Sequence, residues 1–126
     1  MAQNTDDPVE LFDLHISHVG INTNSPEEAE AVAKEFEDLM GLMRMHTAPV
    51  STFAGTLIEV MNNGGRGEKG HIGFYVNDIP AAEKWFAKRG FEIDESTRNL
   101  NPDGTTRLVY FKKHIAGFAI HRTCDK

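Results

Sequence analysis

The chain is poor in several things, and each shortage narrows what it can be. Cysteine occurs once, at Cys124, among 126 residues. A single thiol excludes an internal disulfide and a cysteine-based zinc site, and it fits a reducing cytoplasm. Basic charge is short, with Lys+Arg 13 against Asp+Glu 19 and a net charge of −6. Lys112–Lys113 is the densest basic spot, so nucleic acid is not an expected partner. Long apolar runs are missing. Stretches such as Ile115 to Ile120 fall far below the ~18 residues of a membrane span. The polar, acidic start from Met1 to Glu10 has no apolar stretch of the secretory type. The glycine-rich run Asn62-Asn63-Gly64-Gly65-Arg66-Gly67 lacks the Lys-Ser/Thr ending of a phosphate loop and opens no helix, which makes it a flexible connector. What is left is one cytoplasmic domain with no membrane association, hydrophobic at 40% and charged at 25%.

The order of its parts is more telling. Residues 18–26 read His-Val-Gly-Ile-Asn-Thr-Asn-Ser-Pro, and residues 71–80 read His-Ile-Gly-Phe-Tyr-Val-Asn-Asp-Ile-Pro. Each His-x-Gly opens an alternating strand, followed by a proline at a helix start and an amphipathic stretch. The first stretch carries Ala29, Val32, Ala33, Phe36, Leu39 and Met40 on one stripe, and the second carries Ile79, Ala82, Trp85 and Phe86. Ser25 and Asp78 are the expected N-caps, and Gly41 and Gly90 the expected stops. Strands are expected at Met43–Ala48, Ser51–Ala54 and Thr56–Met61, then at Phe91–Arg98, Thr106–Lys112 and Gly117–Thr123. The turn Asn101-Pro102-Asp103-Gly104 separates two of them.

The predicted fold is therefore α+β: two tandem βαβββ modules forming a curved mixed sheet, with the helices on the outer face and a metal-binding trough on the other. The predicted layout is a flexible segment over 1–12 and one domain over 13–126. Within it, module 1 spans 13–62, the linker 63–69 and module 2 70–124. A single module of this size buries too little surface to be stable alone.

Strand residues alternate faces. If Val19 and Ile21, Ile58 and Val60, Ile72, Phe74 and Val76, and Phe118 and Ile120 face the helices, four polar side chains line the trough. They are His18, Glu59, His71 and His121, each with at least one apolar neighbour. Three imidazoles and a carboxylate are a ligand set for a divalent ion, zinc first, with Ni, Mn, Co or Fe(II) also suited. His15, His46 and His114 lack the repeat symmetry of His18 and His71 and are expected at the surface or in turns.

On these residues the chain resembles the vicinal oxygen chelate superfamily, which includes glyoxalase I, methylmalonyl-CoA epimerase, fosfomycin-resistance enzymes, extradiol dioxygenases and bleomycin-binding proteins. The resemblance places metal ligands at His18, Glu59 and His71, and at His121, where many metal-dependent relatives have glutamate. A narrower resemblance lies in Asp103 to Phe111 and Ile115 to His121. It is to the domain appended to bacterial 2-keto-3-deoxy-6-phosphogluconate/4-hydroxy-2-oxoglutarate aldolases, whose barrel cannot fit in this chain.

The resemblance implies a glyoxalase-like lyase, isomerase or epimerase. Such an enzyme acts on a small-molecule 2-oxo or 2-hydroxy acid through metal chelation of vicinal oxygens. Glu59 and His121 are its expected bases, and Tyr75, Asn22, Tyr110 and Arg107 its expected substrate contacts. The alternative is a non-catalytic module that sequesters a ligand or assists an aldolase. Exposed sheet edges make a homodimer the expected assembly.

Overall fold

In the computed structural model, residues 6–41 and 45–124 are described. The helices are α1 (Pro8–Phe12), α2 (Pro26–Met40) and α3 (Ile79–Lys88). The strands are β1 (His15–Asn22), β2 (Met45–Thr47), β3 (Ser51–Ala54), β4 (Ile58–Met61), β5 (Gly70–Tyr75), β6 (Asn99–Leu100), β7 (Thr106–Ile115) and β8 (Phe118–Thr123). The repeat is as expected: β1-α2-β2-β3-β4, then β5-α3-β6-β7-β8. The strands hydrogen-bond in the order β2-β3-β4-β1-β5-β8-β7-β6. The fold is mixed α+β, and β1 and β4 run parallel while β2, β3 and β4 form an antiparallel meander. No described helix is long and apolar enough to cross a membrane.

Contacts divide the chain into two compact units, one of residues 18–72 and 114–119, the other of 1–17, 73–113 and 120–126. In the first, α2 begins where expected. Ser25 accepts from the Glu28 amide at 3.1 Å, and Glu28 reaches back to the Asn24 amide at 2.9 Å. This reciprocal cap satisfies two amides that the helix start leaves open. Ala29, Ala33, Ala54 and Val60 are fully buried, with Val32, Phe36, Met40 and Ile58 packed on them. Ile58 and Val60 thus face the helix, which turns Glu59 to the opposite side. Leu39 departs from the expected stripe. It is 78% exposed, because Phe36 and Met40 already fill the face toward β3 and β4. The expected strand start, Met43, lies outside the described residues, as do the side chains of Met45 and His46.

The glycine-rich connector is tied down. Gly64 N–H donates to Thr23 O at 2.8 Å, and Lys69 N–H to Gly117 O at 2.9 Å. Ala116 and Gly117 both have positive φ, as the tight turn from β7 to β8 requires.

In the second unit, α3 is capped by Asp78, which accepts from the Ala81 amide at 3.2 Å, and Gly90 follows its end at φ 88°. Phe12, Val76 and Ala82 are buried, with Leu14, Ile79, Trp85 and Phe86 around them. Helix α1 falls where no element was read from the sequence. Its core contribution is Phe12, 2% exposed, with the Trp85 ring edge-on at 5.8 Å. The Asp6 carboxylate accepts from Trp85 Nε1 at 2.8 Å and pairs with Arg89, whose guanidinium lies 4.1 Å from the Trp85 ring centroid.

The strand expected at Phe91–Arg98 does not form. A 3-10 turn occupies Glu95–Thr97, an isolated bridge joins Ile93 to Phe111, and Asn99–Leu100 pair with β7. Asp94 is the cause: its carboxylate accepts from the Ser96 amide at 3.1 Å and the Ser96 hydroxyl at 2.6 Å. That local bonding competes with a strand ladder.

Candidate metal centre

The parallel register sets Gly20 opposite Glu59 across β1 and β4. His18, two residues before Gly20 on the same strand, shares that face. His71 on β5 lies on the far side of β1 from β4, and its imidazole reaches Glu59 by crossing over Gly20. A Cβ built on Gly20 would lie 2.0 to 2.5 Å from three atoms of the His71 ring. Glycine is the one residue that leaves this space open, which supplies a physical reason for the first His-x-Gly.

The donor atoms converge. His71 Nε2 is 3.1 Å from Glu59 Oε1 and 3.2 Å from His18 Nε2, and His18 Nε2 is 3.8 Å from the same carboxylate oxygen. Side-chain exposure is 18% for His18, 17% for Glu59 and 6% for His71. Two ring nitrogens and an oxygen therefore point at one spot, an arrangement that a cation would satisfy. Metal–nitrogen and metal–oxygen bonds of about 2.0–2.2 Å at roughly tetrahedral angles put neighbouring ligand atoms about 3.4 Å apart. The observed separations bracket that value. The chemistry and spacing of His18, His71 and Glu59 fit a divalent ion.

Burial pushes the Glu59 carboxyl up. Hydrogen bonds from His71 and Ser51, together with the charges of His71 and His18, outweigh burial and hold its pKa below the usual glutamate value. The Ser51 hydroxyl donates to Glu59 Oε2 at 2.8 Å. Ser51 was not singled out in the sequence. The signal for it was register: Phe53 pairs with Glu59 and Ser51 with Met61, which makes Ser51 the diagonal neighbour of Glu59 on the same face.

The remaining expected residues are placed as follows. His121 belongs to the other unit, is 2% exposed, and has its ring 4.9 Å from that of Tyr110. Tyr110 is fixed through its backbone, its N–H donating to Thr97 Oγ1 at 2.9 Å. Tyr75 lies in the same unit, with its ring 4.8 Å from that of His15. Asn22 Nδ2 donates to Gly67 O at 2.9 Å, so its amide anchors the connector. Arg107 is exposed, and its carbonyl accepts from the Cys124 amide at 3.0 Å. His15 and His114 are exposed, as expected.

The second unit also contains a buried ion-pair network absent from the sequence reading. Arg122 is 0% exposed and donates to Glu83. Arg98 forks onto both Glu83 oxygens at 3.0 and 3.1 Å and both Glu95 oxygens at 2.7 Å. Alternation on β8 sets Arg122 on the opposite face from His121.

No protein-family model matches the chain, and no curated protein matches it. Solved structures do. A hypothetical protein from Bacillus halodurans is 15% identical, with a TM-score of 0.55, covering 87% of this chain and 93% of the other. A methylmalonyl-CoA epimerase in selenomethionine form is 18% identical, with a TM-score of 0.52, covering 86% of this chain and 92% of its own. The methylmalonyl-CoA epimerase of Mycobacterium tuberculosis is 13% identical, with a TM-score of 0.57, covering 98% and 91%. At these identities the likeness is one of architecture. The chain has the fold found in methylmalonyl-CoA epimerase.

Proposed function

We propose that the protein is a metal-dependent enzyme of the epimerase, isomerase or lyase type, acting on a small 2-oxo or 2-hydroxy acid. The convergence of His18 Nε2, His71 Nε2 and Glu59 Oε1 within 3.1 to 3.8 Å supports this reading more than any other observation. His18, Glu59 and His71 would hold the ion. Zinc suits this donor set, with Ni, Mn, Co and Fe(II) as the other candidates. When bound, the ion supplies Lewis acidity that stabilises negative charge developing on the oxygens of a chelated substrate.

The chain's own groups do the rest. Glu59 is ionised at neutral pH, because His71, His18 and Ser51 favour its charged form, so it is able to accept a proton from the carbon beside a carbonyl. His121 is the other candidate base. Tyr75 and Tyr110 are proposed as substrate contacts. Asn22 is proposed to act through the connector it holds. Arg107, being exposed, would meet a substrate carboxylate only at the rim. The homodimer is likewise proposed, and light scattering at micromolar concentration tests it.

Reconstitution with each metal, followed by incubation with 2-oxo and 2-hydroxy acids in heavy water, tests the function. Deuterium entry next to the carbonyl, read by proton NMR and abolished in Glu59→Gln, is the expected result. Binding of an acid without metal uptake and without exchange would instead favour a sequestering or aldolase-accessory module.

A further inference from the structure

Glu59 has two oxygens, and they are treated differently. Oε1 faces His71 Nε2 at 3.1 Å and His18 Nε2 at 3.8 Å, whereas Oε2 accepts the Ser51 hydroxyl at 2.8 Å. Ser51 is itself 0% exposed. Its backbone is fixed on both sides, by pairing with Met61 across β4 and by the Ala48 amide, which donates to Ser51 O at 2.8 Å. The torsion that turns a glutamate carboxylate is broad and two-fold, with little preference of its own. An external hydrogen bond therefore decides which oxygen faces the histidines.

Resting on the metal-centre reading above, we infer that Ser51 is a positioning residue that makes Glu59 a single-oxygen ligand and thereby sets the metal preference of the site. With Oε2 taken by Ser51, the carboxylate offers one donor at imidazole distance. That arrangement suits small ions of low coordination number such as Zn or Co(II). It disfavours calcium, which takes six to eight oxygens and often both from one carboxylate.

The test is titration of metal-free protein with Co(II), Zn and Ca, following Co(II) visible absorption and competition against a chromophoric chelator. Ser51→Ala is expected to weaken Zn and Co(II) binding about tenfold or more, as loss of a hydrogen bond to a ligand typically does. It should also change the Co(II) band intensity as the second oxygen becomes available, in a metal-free protein that keeps the wild-type far-ultraviolet spectrum. Ser51→Thr, which keeps the hydroxyl, is expected to recover wild-type affinity and spectrum. Unchanged affinity and spectrum in Ser51→Ala, or equal weakening in Ser51→Thr, would overturn the role of Ser51 while leaving the metal centre standing. A wild-type protein that takes up neither Zn nor Co(II) would overturn both.

Discussion

Single side chains decide whether this site exists, and the least conspicuous of them is a glycine. Gly20→Ala would place a methyl 2.0 Å from His71 Cε1, so the imidazole must leave its position over β1. The expected outcome is a metal affinity weaker by about tenfold or more in a protein with an unchanged far-ultraviolet spectrum, measured by calorimetric titration. Glu59 makes a second prediction, in acid. Its folded pKa lies below the unfolded value. Its contribution to stability is therefore complete above the unfolded pKa of about 4.3 and is lost as pH falls through the lower folded value. Urea midpoints of the metal-free wild type should fall more steeply than those of Glu59→Gln as pH drops below about 4. The meeting of His18, Glu59 and His71 was legible in the sequence because strand parity marks all three and repeat symmetry marks the two histidines. Ser51 was not, because its role depends on which residue of β3 stands diagonal to Glu59, and no periodicity encodes that.

The behaviour of helices and strands turns on a few anchors. Helix α1 is short, and its attachment is Phe12 in the pocket formed with Val76, Ala82, Trp85 and Phe86. Phe12→Ala should cost about 3–5 kcal/mol by chemical denaturation, the usual range for emptying a buried aromatic site. Five residues are too few to show a periodicity from which to read that helix. Likewise, the alternation in Phe91–Arg98 resembles a strand, yet the Asp94 side chain bonds to Ser96 and turns the chain instead. The Arg122–Glu83 pair joins β8 to α3. Glu83→Gln removes the counter-charge of a guanidinium with no exposure and should cost about 3 kcal/mol. Glu95→Gln, at a well-exposed carboxylate, should shift the unfolding midpoint far less. Arg122 was not read from the sequence, because a buried arginine becomes legible only once Glu83 and Arg98 are seen to meet.

For the molecule as a whole, the internal repeat was the most readable feature. Two His-x-Gly strands, two Pro-initiated helices and their glycine stops mark the βαβββ order, because each signal is local and each occurs twice. What lay beyond reach were the pairings between distant strands and the ion pairs under α3, which depend on three-dimensional neighbours. A bound ion should stabilise the entire fold: at a hundredfold excess over its dissociation constant it contributes about 2.7 kcal/mol, enough to raise the melting temperature by roughly 10 °C. The most direct measurement is metal content by elemental analysis after reconstitution and gel filtration, on wild type, His18→Ala, His71→Ala and, as a control, the exposed His114→Ala. Equimolar zinc in wild type and His114→Ala, with loss in His18→Ala and His71→Ala, is the predicted result. Wild type without metal, or His18→Ala and His71→Ala that retain it in full, would contradict a metal centre built on these residues.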